Sequence, residues 1–415
     1  DRMGRPSVVI VGASLAGLAA ARTLRADGYD GELVVVDADP DHPYDKPPLS
    51  KQMLSDDWDP SRIALASASD EALALDLRTG TRAVSLDLER RVIGLQPIAG
   101  GAVEEHSFDG VVLACGASAR RLPGTEHIAG VHVVRSLRDS LELRDALEAG
   151  PSAVAVIGAG FIGAEVASSC RSRDLPVTLI EALPVPLERI LGSEIGQVCA
   201  QVHREHQVDL RCGVGVDHLL THDVDGVERV RGVRLTDGSE VAAEVVVVGI
   251  GVSVNTSWLE TSGLTLDDGV LCDDTLLAAP GVVACGDLAR YPSARMGRSV
   301  RIEHWEHAIA GGEAAGRRLA AWMRDEPGVA FDAVPWFWSD QYDRKIQLAG
   351  RPDPGDEMRI VHGSTEEFRF VALYGRAGRL TAVLGMNRPR HVVQLRSLLE
   401  EEISFDEAIA IAEAL

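Results

Sequence analysis

Two stretches of this chain repeat one pattern. VVIVGASLAGLAAARTLRADG, from Val8, passes from a β-branched run through a glycine turn into an alanine-rich segment of helical character, and VAVIGAGFIGAEVASSCRSRDL, from Val154, does the same. In the second copy Gly158, Gly160 and Gly163 complete G-x-G-x-x-G; in the first, Gly12, Ser14 and Gly17 hold the equivalent places, with Ala16 beside them. Such a turn needs a residue without a Cβ clash, a small residue where backbone meets a pyrophosphate, and a third small residue where helix packs on strand; the anion then sits on the helix N-terminus. Each copy continues into a second apolar run ending in an acid: ELVVVD ends at Asp37, 25 residues after Gly12, and VTLIE ends at Glu181, 23 after Gly158. An acid there accepts hydrogen bonds from the hydroxyls of an adenosine ribose. A lone glycine motif is weak evidence, because packing alone often selects glycine. Strand, turn, helix and acid, written twice, predict two dinucleotide-binding units.

Two such sites in one chain suggest a flavin dinucleotide held permanently and a nicotinamide dinucleotide that exchanges. Glu181 would repel a 2′-phosphate, and Ala182, Leu183 and Pro184 follow it instead of an arginine, so NADH is expected over NADPH, although Arg189 lies a little further on. Ser14 departs from the glycine pattern but keeps a small side chain that can still donate a hydrogen bond.

At 415 residues the chain is too long for one ordinary core. Its net charge of −22 argues against a nucleic-acid partner, which needs a cationic surplus. The cations are skewed, with 38 arginines and three lysines, Lys46, Lys51 and Lys345. The six cysteines, at 115, 170, 199, 212, 272 and 285, form no CxxC pair and no zinc-like grouping, which fits a reducing, cytoplasmic setting and a site without metal. No apolar run reaches the roughly 18 residues of a membrane span.

Further motifs extend the pattern over essentially the whole chain: PPLSK at 47–51, VVLACGASARRLPG at 111–124, VVVVGIGVSVNTSWLETSGL at 245–264, VVACGDLARYP at 282–292, VRIEHWEHA at 300–308 and PWFWSDQY at 335–342. In this order they resemble the FAD-dependent, NADH-using ferredoxin reductases, the family of putidaredoxin reductase and of the ferredoxin reductase components of biphenyl dioxygenase systems. The resemblance implies an α/β, glutathione reductase-like fold with two Rossmann-type domains and a C-terminal α+β domain. It divides the chain into a discontinuous FAD domain (1–118 and 247–327), an NAD domain (119–246) and a C-terminal reductase domain (328–415). DEPGVAFDAVP, at 325–335, reads as the linker before three strand-like runs and a terminal helical stretch.

By resemblance, FAD contacts fall on Gly12, Ser14, Ala16, Gly17, Asp37, Lys46, Pro47, Lys51, Ala83, Ala114, Gly116, Arg135, Gly286, Asp287, Trp305 and Trp338. NAD contacts fall on Gly158, Gly160, Phe161, Ile162, Gly163, Glu165, Glu181 and Gly251. Asp287 would serve the ribityl chain, an assignment compatible with an N-cap role. Trp305 replaces a smaller residue of some relatives next to the flavin.

Lys51 reads from sequence alone as a solvated loop lysine, yet it persists in a chain that otherwise favours arginine. The resemblance implies that it lies near the flavin and pairs with Glu165, where a compact cation stabilises negative charge on the reduced ring. Related disulfide-using flavoenzymes carry a reactive cysteine near this place; PPLSK has none, so electrons are expected to leave for an external acceptor, an iron–sulfur ferredoxin that serves a cytochrome P450 or other oxygenase. The stretch from Gly286 to Arg301 carries Arg290, Arg295, Arg298 and Arg301 against one acid, Asp287, and together with Arg344 and Lys345 these form candidate docking cations for an acidic ferredoxin.

PWFWSDQY holds four of the chain's 18 aromatic residues within eight positions. Trp338 matches a family tryptophan beside the isoalloxazine. Trp336 and Phe337, on alternate faces, are expected to pack the C-terminal domain against the FAD domain, and His304 and His307 to pack a helix. A rubredoxin or other acceptor reductase on the same scaffold, and an NADH-responsive interaction flavoprotein resembling apoptosis-inducing factor, remain alternatives; the absence of long basic or signal-bearing insertions favours the electron-transfer enzyme.

Overall fold

The computed structural model describes residues 5–415, and its chain separates into two compact units. The first comprises residues up to Asp45, Ser61–Ser118 and Ser253–Ala333; the second comprises Lys46–Pro60, Ala119–Val252 and Val334–Leu415.

In the first unit a six-stranded sheet runs in the order Leu277–Ala279, Val282–Ala284, Gly110–Leu113, Ser7–Val11, Glu32–Asp37, Leu75–Thr79. All its pairings are parallel except the outer hairpin of the first two strands. The central strand, SVVIV, is buried at every position, as expected of a parallel strand covered on both faces. The helices Leu15–Ala26 and Trp305–Met323 pack closely because small residues meet: a Cβ on Gly312 would stand 2.2 Å from the Ala16 carbonyl oxygen. A three-stranded antiparallel sheet, Thr81–Asp87, Val92–Pro97 and Glu104–Ser107, completes this unit's larger elements.

The second unit holds a five-stranded parallel sheet ordered Asp209–Cys212, Val177–Glu181, Val154–Ile157, Val245–Val248, Val131–His132. It also holds a five-stranded antiparallel sheet ordered Trp336–Gln341, Arg344–Gly350, Arg379–Met386, Arg369–Arg376, Glu357–Ser364. The helix Glu188–Glu205 covers one face of this sheet through Leu191, Ile195 and Val202, while Pro389–Arg396 and Phe405–Glu413 cover the other through Val392, Leu395 and Ala408. No helix or strand interrupts the run between Met323 and Trp336. Among the described residues no helix is long and apolar enough to cross a membrane.

Lys46–Pro60 clusters with the second unit, although the sequence reading groups it with residues 1–118. The cause is local: Leu54 joins the apolar core around Val154, Val156 and Leu179, and two buried serines clamp the turn Pro47–Ser50. Ser140 donates to the Leu49 carbonyl (2.7 Å) and Ser169 to that of Ser50 (2.8 Å).

Candidate functional site: two cradles and a buried ion pair

In the first cradle Gly12 has φ +111°, a left-handed conformation that favours glycine, and a Cβ there would stand 2.1 Å from the Ala114 carbonyl oxygen. A Cβ on Gly17 would stand 1.8 Å from the Gly12 carbonyl oxygen, so the helix Leu15–Ala26 can approach its strand only with glycine. Asp37 closes the turn, accepting from the Ala13 N–H (2.7 Å) and the Asp39 N–H (2.8 Å). Ser14 occupies the N-cap without capping the helix through its side chain. Its hydroxyl and the first-turn N–H groups therefore suit a pyrophosphate.

The second cradle repeats this arrangement. Gly158 has φ +98°, and its added Cβ would stand 2.1 Å from the Gly249 carbonyl oxygen. A Cβ on Gly163 would stand 1.9 Å from the Gly158 carbonyl oxygen, whereas at Gly160 it would meet nothing within 4 Å. The backbone thus presents open space at the middle glycine, as an anion requires. Glu181 accepts from the N–H groups of Ala159 (2.9 Å) and Leu183 (2.9 Å). Around the turn Ile162 is 46% exposed and Ile250 38% exposed. Apolar side chains left open beside a polar turn suit a ligand with a flat apolar part. Gly251, at φ +95°, adds a further open backbone position.

Both cradles fit the cofactors that the motifs imply. In the first unit Gly286 has φ +68°, and its added Cβ would stand 3.0 Å from the Ala16 Cβ, which brings the turn Gly286–Leu288 with Asp287 against the first glycine helix. Trp305 opens the helix Trp305–Met323 and its indole N–H donates to Asp45 (2.7 Å), a carboxylate that the sequence reading did not single out. Ala83 lies on the strand Thr81–Asp87 opposite Leu95, and Gly116 takes φ +62° just past Ala114. Arg135 lies in the second unit, where its backbone N–H donates to Asp139 (3.0 Å).

The structure brings together Lys51 and Glu165, which are 114 positions apart. Lys46 and Pro47 open the turn Pro47–Ser50, and Lys51 caps its end. The Lys51 ammonium donates to Glu165 Oε2 (3.0 Å), with the two side chains 13% and 4% exposed. Ser50 donates to the same oxygen (2.5 Å), and Ser339 donates to Oε1 (2.8 Å). A buried carboxylate is costly unless its lone pairs are satisfied, and here two hydroxyls and an ammonium satisfy them. The sequence reading missed Ser50, Ser339 and Gln341. A signal existed: on the strand Trp336–Gln341 every second residue shares a face, and Ser339 and Gln341 place polar groups on the side where Phe337 packs, partly buried.

Phe337 packs edge-on against Phe161, ring centroids 4.2 Å apart, at the start of the helix Phe161–Ser172. Trp336 joins the core of its own domain beneath Arg396, whose guanidinium lies 4.5 Å from the ring centroid. Strand alternation sends the two rings to different neighbours within the second unit. Trp338 pairs in register with Gln347 and stays partly exposed on the opposite face from Ser339.

The arginine stretch also looks different in three dimensions. Arg290 and Arg301 converge on Asp268 (2.8 and 3.3 Å), and Arg301 also pairs with Glu303 (2.6 Å). The Arg295 backbone N–H donates to the Asp332 carboxylate (2.8 Å), Lys345 pairs with Asp340 (2.9 Å), and Arg344 lies 3.5 Å from Asp343. Asp268, remote in sequence, and the nearer Glu303, Asp340 and Asp343 therefore offset part of the local positive charge. His307 is a packing residue: its ring bonds the Tyr291 hydroxyl (3.0 Å), and burial, reinforced by His304, lowers its pKa to about 3.

All six cysteines are free. Burial pushes the Cys115 thiol up to about 11 and those of Cys170, Cys199 and Cys272 to about 12, and it raises Cys285 as well. Such thiols make poor nucleophiles at neutral pH. Among the described residues no group of three or more His, Cys, Asp or Glu side chains could hold a metal ion.

Two parallel-sheet units, each with a complete dinucleotide cradle, and a C-terminal α+β domain define a glutathione reductase-like oxidoreductase scaffold. The chain belongs to the pyridine nucleotide-disulphide oxidoreductase family, whose model matches residues 6–312, and a reductase C-terminal model matches 336–415. It is 35% identical over 400 residues to rhodocoxin reductase of Rhodococcus erythropolis, covering 96% of this chain and 90% of the relative. It is 34% identical over 408 residues to the ferredoxin–NAD(+) reductase component of the p-cumate 2,3-dioxygenase system of Pseudomonas putida, covering 96% and 94%. The covalent putidaredoxin reductase–putidaredoxin complex superposes with a TM-score of 0.89 at 29% identity, covering 99% of this chain and 100% of that one.

Proposed function

We propose that this protein is an NADH-dependent ferredoxin reductase that holds FAD in the first cradle and exchanges NAD(H) in the second. The observation that carries the reading is the pair of complete cradles in one chain that has no low-pKa thiol. Without a thiol relay, electrons taken from NADH leave for an external acceptor. That acceptor is read as an iron–sulfur ferredoxin serving a cytochrome P450 or another oxygenase, in keeping with the names of the relatives. The domain assignment follows: 1–118 with 247–327 for FAD, 119–246 for NAD, and 328–415 as the reductase domain.

FAD, when bound, supplies the ability to accept an electron pair as hydride and to release it one electron at a time. The protein supplies position and charge. Gly158, Gly160 and Gly163 admit the pyrophosphate of NADH, Glu181 receives ribose hydroxyls and repels a 2′-phosphate, and Phe161 with Ile162 offers an apolar wall for the nicotinamide. The Lys51 ammonium, oriented by Glu165, favours negative charge on the reduced cofactor, and Trp338 provides an aromatic face. Arg290, Arg295, Arg298, Arg301, Arg344 and Lys345 are assigned to ferredoxin docking, and the enzyme to the cytoplasm.

Steady-state assays with NADH and a panel of purified ferredoxins, coupled to cytochrome c, test the reading. Turnover that rises with ferredoxin concentration is expected. Flavin reduction without any ferredoxin-dependent turnover would contradict the acceptor assignment and favour the interaction flavoprotein.

A further inference from the structure

The first strand of the C-terminal domain lies along one stripe of the second glycine-motif helix. Phe337 meets Phe161, Ser339 meets Glu165, and the Tyr342 N–H donates to Ser168 Oγ (2.7 Å). Positions 161, 165 and 168 are spaced by four and three residues, so they form one face of the helix Phe161–Ser172. The middle contact of this register falls on the carboxylate that holds Lys51.

Glu165 receives donors from two sources. The turn before Lys51 serves Oε2 alone, through Ser50 (2.5 Å) and Lys51 itself (3.0 Å). Among the described residues, Oε1 accepts from the C-terminal domain, through the fully buried Ser339 (2.8 Å). The Gln341 side-chain N–H, also buried, donates to Ser339 Oγ (3.1 Å). A hydroxyl has one proton to give, and a neighbour that donates to its oxygen orients that proton elsewhere, here toward Glu165. Gln341 and Ser339 therefore form a directed pair of hydrogen bonds that ends on Glu165, which accepts Lys51 on its other oxygen.

We propose that Ser339, oriented by Gln341, is a positioning residue: by anchoring Oε1 it fixes the carboxylate plane so that Oε2 holds the Lys51 ammonium in its working position. This rests on the reading that the Lys51 charge assists reduction of the flavin. It makes the C-terminal domain, which contributes no glycine cradle, a participant in hydride transfer through one hydroxyl.

The test follows flavin absorbance in anaerobic stopped-flow experiments with NADH, using the flavin-loaded protein. Ser339→Ala is expected to lower the limiting reduction rate by about tenfold, the scale of one charge-assisted hydrogen bond, with little change in the NADH concentration giving half the limiting rate. Ser339→Thr, which keeps the hydroxyl, should recover the rate to within about twofold. In a Glu165→Gln background the Ala substitution should have almost no further effect, because the group it acts through has lost its charge. An equal fold-loss in both backgrounds, or an unchanged rate for Ser339→Ala, would overturn the proposal. Should Ser339→Ala fail to hold flavin, Gln341→Met decides: slowing that vanishes in the Glu165→Gln background supports the chain, and an unchanged rate refutes it. Lys51→Met separates the two claims. If it leaves reduction unchanged, the Lys51 reading itself fails; if it slows reduction while Ser339→Ala does not, only the positioning role fails.

Discussion

The two cradles share a backbone and differ in what surrounds it. Gly12 and Gly158 have φ values of +111° and +98°, each faces a carbonyl oxygen 2.1 Å from its missing Cβ, and Asp37 and Glu181 each accept two backbone N–H groups near the end of the turn. The first is enclosed within its unit: Gly286 and Gly312 press on Ala16, and the helix Trp305–Met323 runs against Leu15–Ala26. At the second no Cβ-scale contact reaches Gly160, and Ile162 and Ile250 stand partly open. One local structure thus serves two purposes. An enclosed cradle suits a cofactor that stays, and an open one suits a cofactor that must leave after each turnover.

Substitution at the paired glycines breaks the comparison most sharply. Gly12→Ala is expected to yield protein lacking flavin, seen as lost absorbance near 450 nm, because a rigid carbonyl occupies the space of the new Cβ. Gly158→Ala should keep the yellow colour but slow reduction by NADH about 100-fold or more, from roughly 3 kcal/mol of strain at the nucleotide turn. Colourless Gly158→Ala protein would show that the cradles are not functionally separate. Lys51→Met should slow flavin reduction by about 10- to 100-fold in stopped-flow, the loss expected when one electrostatic stabiliser is removed from a low-dielectric site.

Acid should weaken both units. Each buries a neutral histidine: desolvation lowers His307 to about 3 in the first, and it lowers His203, with help from His206 and Arg204, to about 4 in the second. An unfolded histidine titrates near pH 6.5, so below that pH the unfolded chain binds protons that the native chain refuses. Stability therefore falls as pH drops from about 6.5, and the His203 contribution levels off below about 4 after a loss of roughly 3 kcal/mol. Thermal melts across this range should show the decline, and His203→Gln should flatten it. The smallest effect is expected from Glu181→Gln, which keeps an acceptor for Ala159 but removes the charge that opposes a 2′-phosphate. The NADPH-to-NADH ratio of kcat/KM should rise by about tenfold, and an unchanged ratio would remove Glu181 from cofactor choice.

How much was legible in the sequence depended on whether a constraint was local. The glycine turns are written in a few consecutive positions because backbone sterics act there, and both appear where the spacing places them. Lys51 and Glu165 are separated by 114 positions, so only the family resemblance paired them, and the third donor, Ser339, comes from 174 positions beyond Glu165. The arginines from 290 to 301 read as a cationic patch in one dimension, yet Asp268 and Asp332 meet them through folding. PWFWSDQY shows the same limit. Its rings announced a buried surface, but the polar residues between them, Ser339 and Gln341, carry the contact closest to the proposed chemistry.

The central claim is that one cradle retains its dinucleotide while the other exchanges. It is tested most directly by quantifying both nucleotides after exhaustive gel filtration, then adding NADH to the same sample without oxygen. The account predicts about one flavin dinucleotide per chain retained, no nicotinamide dinucleotide retained, and bleaching of the flavin on each addition of NADH after reoxidation. Loss of the flavin on the column, or a retained flavin that NADH leaves oxidised, would contradict it.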